Sequence, residues 1–248
     1  MRVSLGAWLP EKEVSLMKRL ILKLSGEALA STKGSGYDDE KIESIAGQIK
    51  TLTDEGFSIG IIIGGGNIWR GRTNDNIDRT KSDAIGMLAT VMNCIYVSEV
   101  FRSQGLKTRI FTPFAVGTMT KLFSKDESRK CFDEGCVCFY AGGTGNPYFS
   151  TDTGVILRAL ELDADMVLLA KSIDGVYDSD PATNPNAKKY VEVTIDDVLD
   201  QKLKVVDLTA SIMAYENRMP MQVFALDAPN GIVRAAHGEN LGTMVTAD

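Results

Sequence analysis

Short aliphatic runs alternate with amphipathic stretches along almost the whole chain, and no other feature limits the possible folds as much. Runs at Arg19–Leu24, Ser58–Ile63, Lys107–Phe111, Val137–Ala141, Met166–Leu169, Gln222–Ala225 and Thr243–Thr246 are rich in β-branched and aliphatic residues and read as strands. Between them, Asp38–Asp54, Ser82–Ser103, Ser124–Glu134 and Thr151–Glu161 repeat apolar residues every three or four positions, as Ile42, Ile45, Ile49 and Leu52 do, and read as covering helices. Asp38 has the place of an N-cap and Gly56 that of a C-terminal stop. Strand and helix in alternation predict βαβ units around a largely parallel sheet, an α/β fold.

The 248 residues suit either two small domains or one large α/β domain. No repeat, low-complexity tract or Ser/Gly linker divides them, so one continuous sheet with two lobes meeting near residue 165 is the preferred reading. Asp174–Thr194, with two prolines and several turn residues, predicts an irregular hairpin excursion. Residues 1–16 have little that a βαβ fold needs, and Met17 directly precedes the first strand, so this leader is expected to lie outside the fold. It has the character of neither a signal peptide nor an anchor, and no membrane span or membrane partner is expected.

Charge and reactive side chains narrow the function. Against 27 Lys and Arg stand 33 Asp and Glu, a net charge of −6, which argues against a nucleic-acid partner bound by a basic face. Cys94, Cys131, Cys136 and Cys138 lack CxxC spacing and read as buried, reduced thiols in a cytoplasmic protein rather than as a metal site. The single histidine, His237 in AAHGENLG, sits where a helix ends, and it alone could serve a histidine-based triad.

Three glycine-bearing segments follow three expected strands: KLSGEAL, GGGNIWRG and AGGTGNP. In a parallel sheet they share the carboxyl edge, where open α/β proteins bind ligands. Glycine lets backbone N–H groups approach an anion closely, and a following helix adds the positive end of its dipole. Lys23 at the end of the first strand and Arg70 with Arg72 after the second supply fixed positive charge suited to a phosphoryl group. Taken singly, Lys23 reads as a surface strand residue and Arg70 as a solvated loop residue. Taken together beside glycine loops, they favour phosphate binding. Neither standard nucleotide fingerprint is present: there is no G-x-x-x-x-G-K-[ST], and Trp69 stands where the dinucleotide motif needs its last glycine. Generic motifs reach an anion-binding α/β protein and stop.

The segments LILKLSGEAL (20–29), IIIGGGNIWRG (61–71), DAIGMLATVMN (83–93), AGGTGNPYFSTDT (141–153), DGVYDSDP (174–181) and KVVDLTA (204–210) resemble, in order and spacing, the bacterial-type uridylate kinases of the amino acid kinase superfamily. The resemblance runs from about residue 17 to the C-terminus. It implies a three-layer αβα sandwich around a largely parallel central sheet, one domain over 17–248, with a UMP-binding N-lobe (about 17–165) and an ATP-binding C-lobe (about 166–248). The implied reaction moves the γ-phosphoryl group of ATP to UMP with Mg2+ in pyrimidine nucleotide biosynthesis, chemistry that asks mainly for alignment and charge neutralisation.

Carried over residue by residue, the resemblance implies catalytic roles for Lys23, Arg70 and Asp152. It implies ATP contacts from Lys23, Leu24, Ser25, Gly26, Gly66, Arg70, Lys171, Tyr177 and Asp180, with Lys171 reached by counting back from Asp174. It implies UMP contacts from Gly65, Asp83, Thr144, Gly145, Asn146, Pro147, Tyr148, Phe149, Ser150 and Thr151, and no metal ligand is assigned from the protein. Ser150 or Thr151 also reads as a helix cap, Tyr177 as a hairpin packing residue and Asp207 as structural. GTP activation is implied at Ser31, Thr32, Lys33, Gly34, Ser35 and Gly36, with UTP as inhibitor, and assembly as a homohexamer. Ile85, Met87, Leu88, Val91, Met92, Ile95 and Tyr96 cover more than one face of their helix, which then serves an interface or is buried on two sides. Two rivals remain: a superfamily kinase acting on a carboxylate or carbamate, and a nucleotide-sensing protein without turnover.

Overall fold

The computed structural model describes residues 18–31, 36–70 and 76–246. Among these residues nine strands form one sheet: β1 (Arg19–Leu24), β2 (Ser58–Ile63), β3 (Lys107–Thr112), β4 (Lys121–Leu122), β5 (Cys136–Tyr140), β6 (Met166–Lys171), β7 (Glu192–Thr194), β8 (Met221–Ala225) and β9 (Thr243–Thr246). Their order is β4-β3-β5-β2-β1-β6-β8-β9-β7. Every pairing is parallel except that of β8 with β9.

Near-continuous aliphatic sequence in β1 and β2 follows from burial on both faces. Leu20, Leu22 and Leu24 pack in one core with Ile59, Ile61 and Ile63, whereas Ile21 and Ile62 point into the other. The first core is covered by α1 (Asp39–Asp54), α2 (Arg79–Ser103) and α7 (Gly231–Ala236), the second by α3 (Lys125–Asp133), α4 (Thr151–Glu161), α5 (Ile195–Asp200) and α6 (Leu208–Glu216). The architecture is the expected three-layer αβα sandwich. Asp38 caps α1 through a 3.1 Å bond from the Lys41 N–H, and Gly56, at φ +88°, turns the chain out of it. His237 is the C-cap of α7.

Helix α2 starts three residues earlier than its apolar periodicity implies, because Asp78 accepts from the N–H groups of Thr80 and Lys81. By length and composition α2 could cross a membrane. In the fold it covers β2 and β3 and turns Thr90, Asn93 and Ser98 inward. One of its faces is open: Ile85, Leu88, Met92, Ile95 and Tyr96 are all exposed, which removes the alternative of a helix buried on two sides. The Asp174–Thr194 excursion is an irregular hairpin, with a Tyr177–Lys189 bridge and a 2.9 Å bond from Tyr190 N to Val176 O. All four cysteines are buried and unpaired. The leader, residues 1–16, lies outside the described residues, as do Arg72 and the effector-region residues Thr32, Lys33, Gly34 and Ser35.

Connectivity fixes where a ligand can enter. From β1 the chain moves to β2 and fills one side of the sheet through β5, and then α4 carries it back across to β6 on the other flank of β1. The order therefore reverses at β1. In open parallel sheets the crevice lies at such a switch point, outside the carboxyl ends of the strands.

Candidate active site

Three turns crowd that edge. After β1, Ser25 and Gly26 start a single 3-10 turn, Glu27–Leu29, with Leu29 N bonded to Gly26 O at 3.1 Å. After β2, Gly64 N reaches back to Leu24 O at 3.0 Å, and Gly65 O accepts from Ile68 and Trp69. Gly65 is there because the loop presses onto α2: a Cβ would stand 2.9 Å from the Gly86 carbonyl and 3.0 Å from the Ala89 methyl. The third loop, after β5, takes Gly142, Gly143 and Gly145 through the left-handed region, and Gly142 N donates to Thr90 Oγ1 at 2.7 Å. Tyr148 adopts φ +71° without being glycine, a costly conformation that its surroundings hold in place. Its N–H donates to Asp83 Oδ2 at 2.8 Å, and the Arg79 guanidinium lies 5.4 Å from its ring centroid.

A cleft of about 840 Å³ opens between these loops and the segment from Val198 to Leu208. At its base Lys23 Nζ stands 3.0 Å from Asp152 Oδ1, both side chains largely shielded from water. That carboxylate oxygen is buried and has no aligned hydrogen bond, so the pair is ionic rather than directional. Lys171, at the end of β6, also lines the cleft and donates to the Val205 carbonyl. Burial pushes its pKa below the ordinary lysine value; Asp152 opposes that shift and Lys23 adds to it. Lys23 and Lys171, from adjacent strands, thus both line the cleft, Lys23 paired with Asp152 and Lys171 held by the Val205 carbonyl.

Ser150 caps α4 by accepting from the N–H groups of Asp152 and Thr153, which leaves the start of that helix facing the cleft. Asp207 in turn caps α6, accepting from Ala210 N at 3.0 Å, and also accepts from the hydroxyls of Ser150 and Thr153. Burial alone would raise the Asp207 pKa, but the hydrogen bonds from Ser150, Ala210 and Thr153 outweigh it and hold the carboxyl below its usual value. The residue read as structural from sequence therefore ties the two cleft walls together.

Of the residues singled out from sequence, Lys23, Gly65, Gly66, Asp83, Thr144, Asn146, Phe149, Ser150, Thr151, Asp152 and Lys171 line the cleft. Ser25, Gly26, Gly145, Pro147 and Tyr148 belong to its loops without lining it, and Leu24 ends β1 buried in the core. Arg70 is not on the wall; its guanidinium meets Glu27 Oε1 at 2.8 Å. Tyr177 and Asp180 are also absent from the wall: the tyrosine hydroxyl donates to Asp174 at 2.7 Å, and Asp180 accepts from Ala182 N at 2.9 Å within its own turn. Ser31 and Gly36 bond to each other through Ser31 N and Gly36 O, away from the wall. Sequence reasoning missed Arg79, Thr90, Lys202 and Lys204, which do line it. For Thr90 and Lys204 the signal was their place inside DAIGMLATVMN and KVVDLTA. For Arg79 it was the i,i+4 spacing to Asp83, now a 2.9 Å ion pair.

Comparison with known proteins adds the family. The profile of the amino acid kinase family matches residues 18–225. The structure is similar to that of UMP kinase from Bacillus anthracis, with a TM-score of 0.89 and 34% identity, covering 93% of this chain and 96% of that one. UMP kinase from Ureaplasma parvum is similar at a TM-score of 0.87 and 34% identity, over 92% of this chain and 98% of that one. Uridylate kinase from Archaeoglobus fulgidus, at 23% identity and a TM-score of 0.69 over 91% of this chain and 99% of that one, shares the fold.

Proposed function

The chain belongs to the amino acid kinase family, and within it we propose that this protein is a UMP kinase, transferring the γ-phosphoryl group of ATP to UMP to give ADP and UDP. The observation that carries the reading is the Lys23–Asp152 pair in a cleft that Lys171 also lines, beside three glycine loops at the switch point. In the reaction an oxygen of the UMP phosphate attacks the γ-phosphorus, the bond to the β–γ bridging oxygen breaks, and ADP leaves with its electrons. Nothing in that step needs a protein nucleophile or a histidine; it needs alignment and positive charge. Lys23 and Lys171 supply the charge; Asp152 holds the Lys23 ammonium in position and the Val205 carbonyl holds that of Lys171.

We assign UMP to the side of the cleft built by the loops after β2 and β5. Asp83 supports this reading, because a carboxylate engaged by Arg79 and Tyr148 N still has lone pairs for ribose hydroxyls, and Asn146 offers both a donor and an acceptor to a base edge. ATP takes the opposite side, where Lys171, Lys202 and Lys204 stand. Tyr177, Asp180 and Arg70 enter this reading only as residues that reach nucleotide after the loops rearrange.

Magnesium arrives with ATP. Among the described residues no group of three or more His, Cys, Asp or Glu side chains is disposed to hold a metal ion. All three carboxylates in the cleft are engaged, Asp83 and Asp207 by hydrogen-bond donors and Asp152 Oδ1 by the Lys23 ammonium, a donor set that fits an ion carried mainly by phosphates and water. Bound there, Mg2+ would neutralise phosphate charge, with Asp152 the residue that would hold it. The four buried thiols fit a reducing cytoplasm, and the open apolar face of α2 supports assembly into a homo-oligomer.

An ADP-release assay with UMP, CMP, dUMP, carbamate and N-acetylglutamate as acceptors, with and without Mg2+, tests the proposal. Turnover is expected on UMP and to depend on the metal. Turnover on an acid alone would select a different member of the superfamily, and turnover on none would leave a binding protein.

A further inference from the structure

Phosphoryl transfer as described gives no role to two motif residues, Asn67 in the glycine loop and Asn93 in the middle of α2. Neither lines the cleft. Asn93 is fully buried, and a buried primary amide has two N–H groups and a carbonyl oxygen to satisfy. All are satisfied within the fold. Its Oδ1 accepts from Tyr37 Oη at 2.7 Å and from Asn67 Nδ2 at 3.0 Å, and its Nδ2 donates to Gly64 O at 2.7 Å and to Asn67 Oδ1 at 2.8 Å.

Gly26 closes the same point from the other side. A Cβ there would stand 2.2 Å from Gly64 O, 2.5 Å from Asn67 Oδ1 and 3.0 Å from Asn93 Nδ2, so only glycine lets the turn after β1 sit against this amide pair. The turn after β1 follows Lys23, and the loop after β2 brings Gly65 and Gly66 to the cleft wall. Asn93 thus bonds the loop after β2 directly, and the turn after β1 packs closely against the same amide pair. Tyr37 is the outer end of the network: it stacks on Tyr96 at 4.1 Å between ring centroids, and Tyr96 Oη donates to Asp39 at 2.5 Å.

We propose that Asn93 is a positioning residue for phosphoryl transfer, one that locks the Gly64–Gly66 backbone against the β1 turn so that the loop amides and Lys23 converge on the same phosphates. Asn93 touches no nucleotide; it acts through Gly64 and Asn67. The inference rests on the UMP kinase reading for its reaction but on the amide geometry for its mechanism. Without the side chain, the half-buried Gly64 carbonyl and Asn67 amide lose their partners, and the loop relaxes toward other partners.

The test uses the full chain with Asn93→Ala, Asn67→Ala and Tyr37→Phe, the last keeping the ring stack and losing one donor. Melting temperature, kcat, KM for each nucleotide, and hydrogen exchange over residues 60–70 and over β8 are measured. Asn93→Ala is expected to lower kcat about a hundredfold, the cost of a roughly 1 Å misplacement of reacting groups, while KM for ATP, assigned to the opposite side of the cleft, changes less than about threefold. Exchange should rise in residues 60–70 and stay unchanged in β8. A folded Asn93→Ala that retains wild-type kcat and wild-type exchange overturns the proposal. Where Asn93→Ala fails to fold, Asn67→Ala and Tyr37→Phe decide: a lowered kcat in both supports it, and wild-type kcat in both overturns it. A wild-type chain inactive on UMP would instead sink the functional reading, and the exchange data would still judge the clamp.

Discussion

Lys23 and Lys171, which both line the cleft, have separable roles. Lys23 stands 3.0 Å from Asp152 at the cleft base, where water is largely excluded and a fixed cation acts more strongly on developing phosphate charge. Lys23→Ala should lower kcat at least about a hundredfold with little change in KM for UMP, a split that steady-state kinetics on both substrates reads directly. Lys171 makes the complementary case. Its folded pKa is depressed by burial, so the neutral amine is favoured and the proton leaves at a lower pH than the ordinary 10.5. Since the ammonium form is the one that receives the phosphates, the profile of kcat/KM for ATP should fall on its alkaline side below that value. In Lys171→Arg, whose guanidinium keeps its charge, the alkaline fall should disappear from the activity that remains. An unchanged alkaline limb in that variant would assign the titration to another group.

Helix α2 does three jobs, one on each part of its surface. Its inner face packs Val91, Cys94, Val97 and Phe101 into the core, its N-terminal turns carry Arg79, Asp83 and Thr90 to the cleft, and its open face shows Leu88 at 49% and Met92 at 57% exposure. Large apolar side chains grouped on one open helix face mark an association surface. Leu88→Glu combined with Met92→Glu should therefore reduce the molecular mass seen by light scattering to that of a smaller species. The isolated fold should lose little, because exposed substitutions away from special features typically cost within about 0.5 kcal/mol. A wild-type chain that is already monomeric would deny this face any part in self-association.

The molecule as a whole is acidic and its cleft is not. Lys23, Arg79, Lys171, Lys202 and Lys204 line the cleft against Asp83, Asp152 and Asp207, in a chain whose net charge is −6. A concave basic site on an acidic body concentrates field where the phosphates bind and leaves the outer surface to solubility. Because partly open charges are screened over about 8 Å at physiological salt, KM for ATP should rise severalfold between low and high ionic strength. Lys202→Glu with Lys204→Glu should give the higher KM at low salt and flatten that dependence. A salt-independent KM would mean that direct contacts, not the field, recruit the nucleotide.

The sequence by itself determined the parallel sheet, through local periodicity, and the glycine loops, through a residue type that tolerates tight turns; the three layers and the role of Lys23 came with the family resemblance of its motifs. The short elements were not legible. β4 and β7 span two and three residues, too few for alternation, and α6 buries Ala210, Ser211 and Ala214 while exposing Leu208, Ile212 and Tyr215, the reverse of an ordinary amphipathic helix. Only the tertiary structure brought Asp207 across to Ser150, set Lys171 against the Val205 carbonyl, turned Arg70 to Glu27 and closed Asn93 on Gly64. Contacts between residues 26 to 57 positions apart, such as Asn67 with Asn93 and Ser150 with Asp207, depend on which strands become neighbours. Strand order is decided by how buried faces pack together, a choice that no local run of sequence contains.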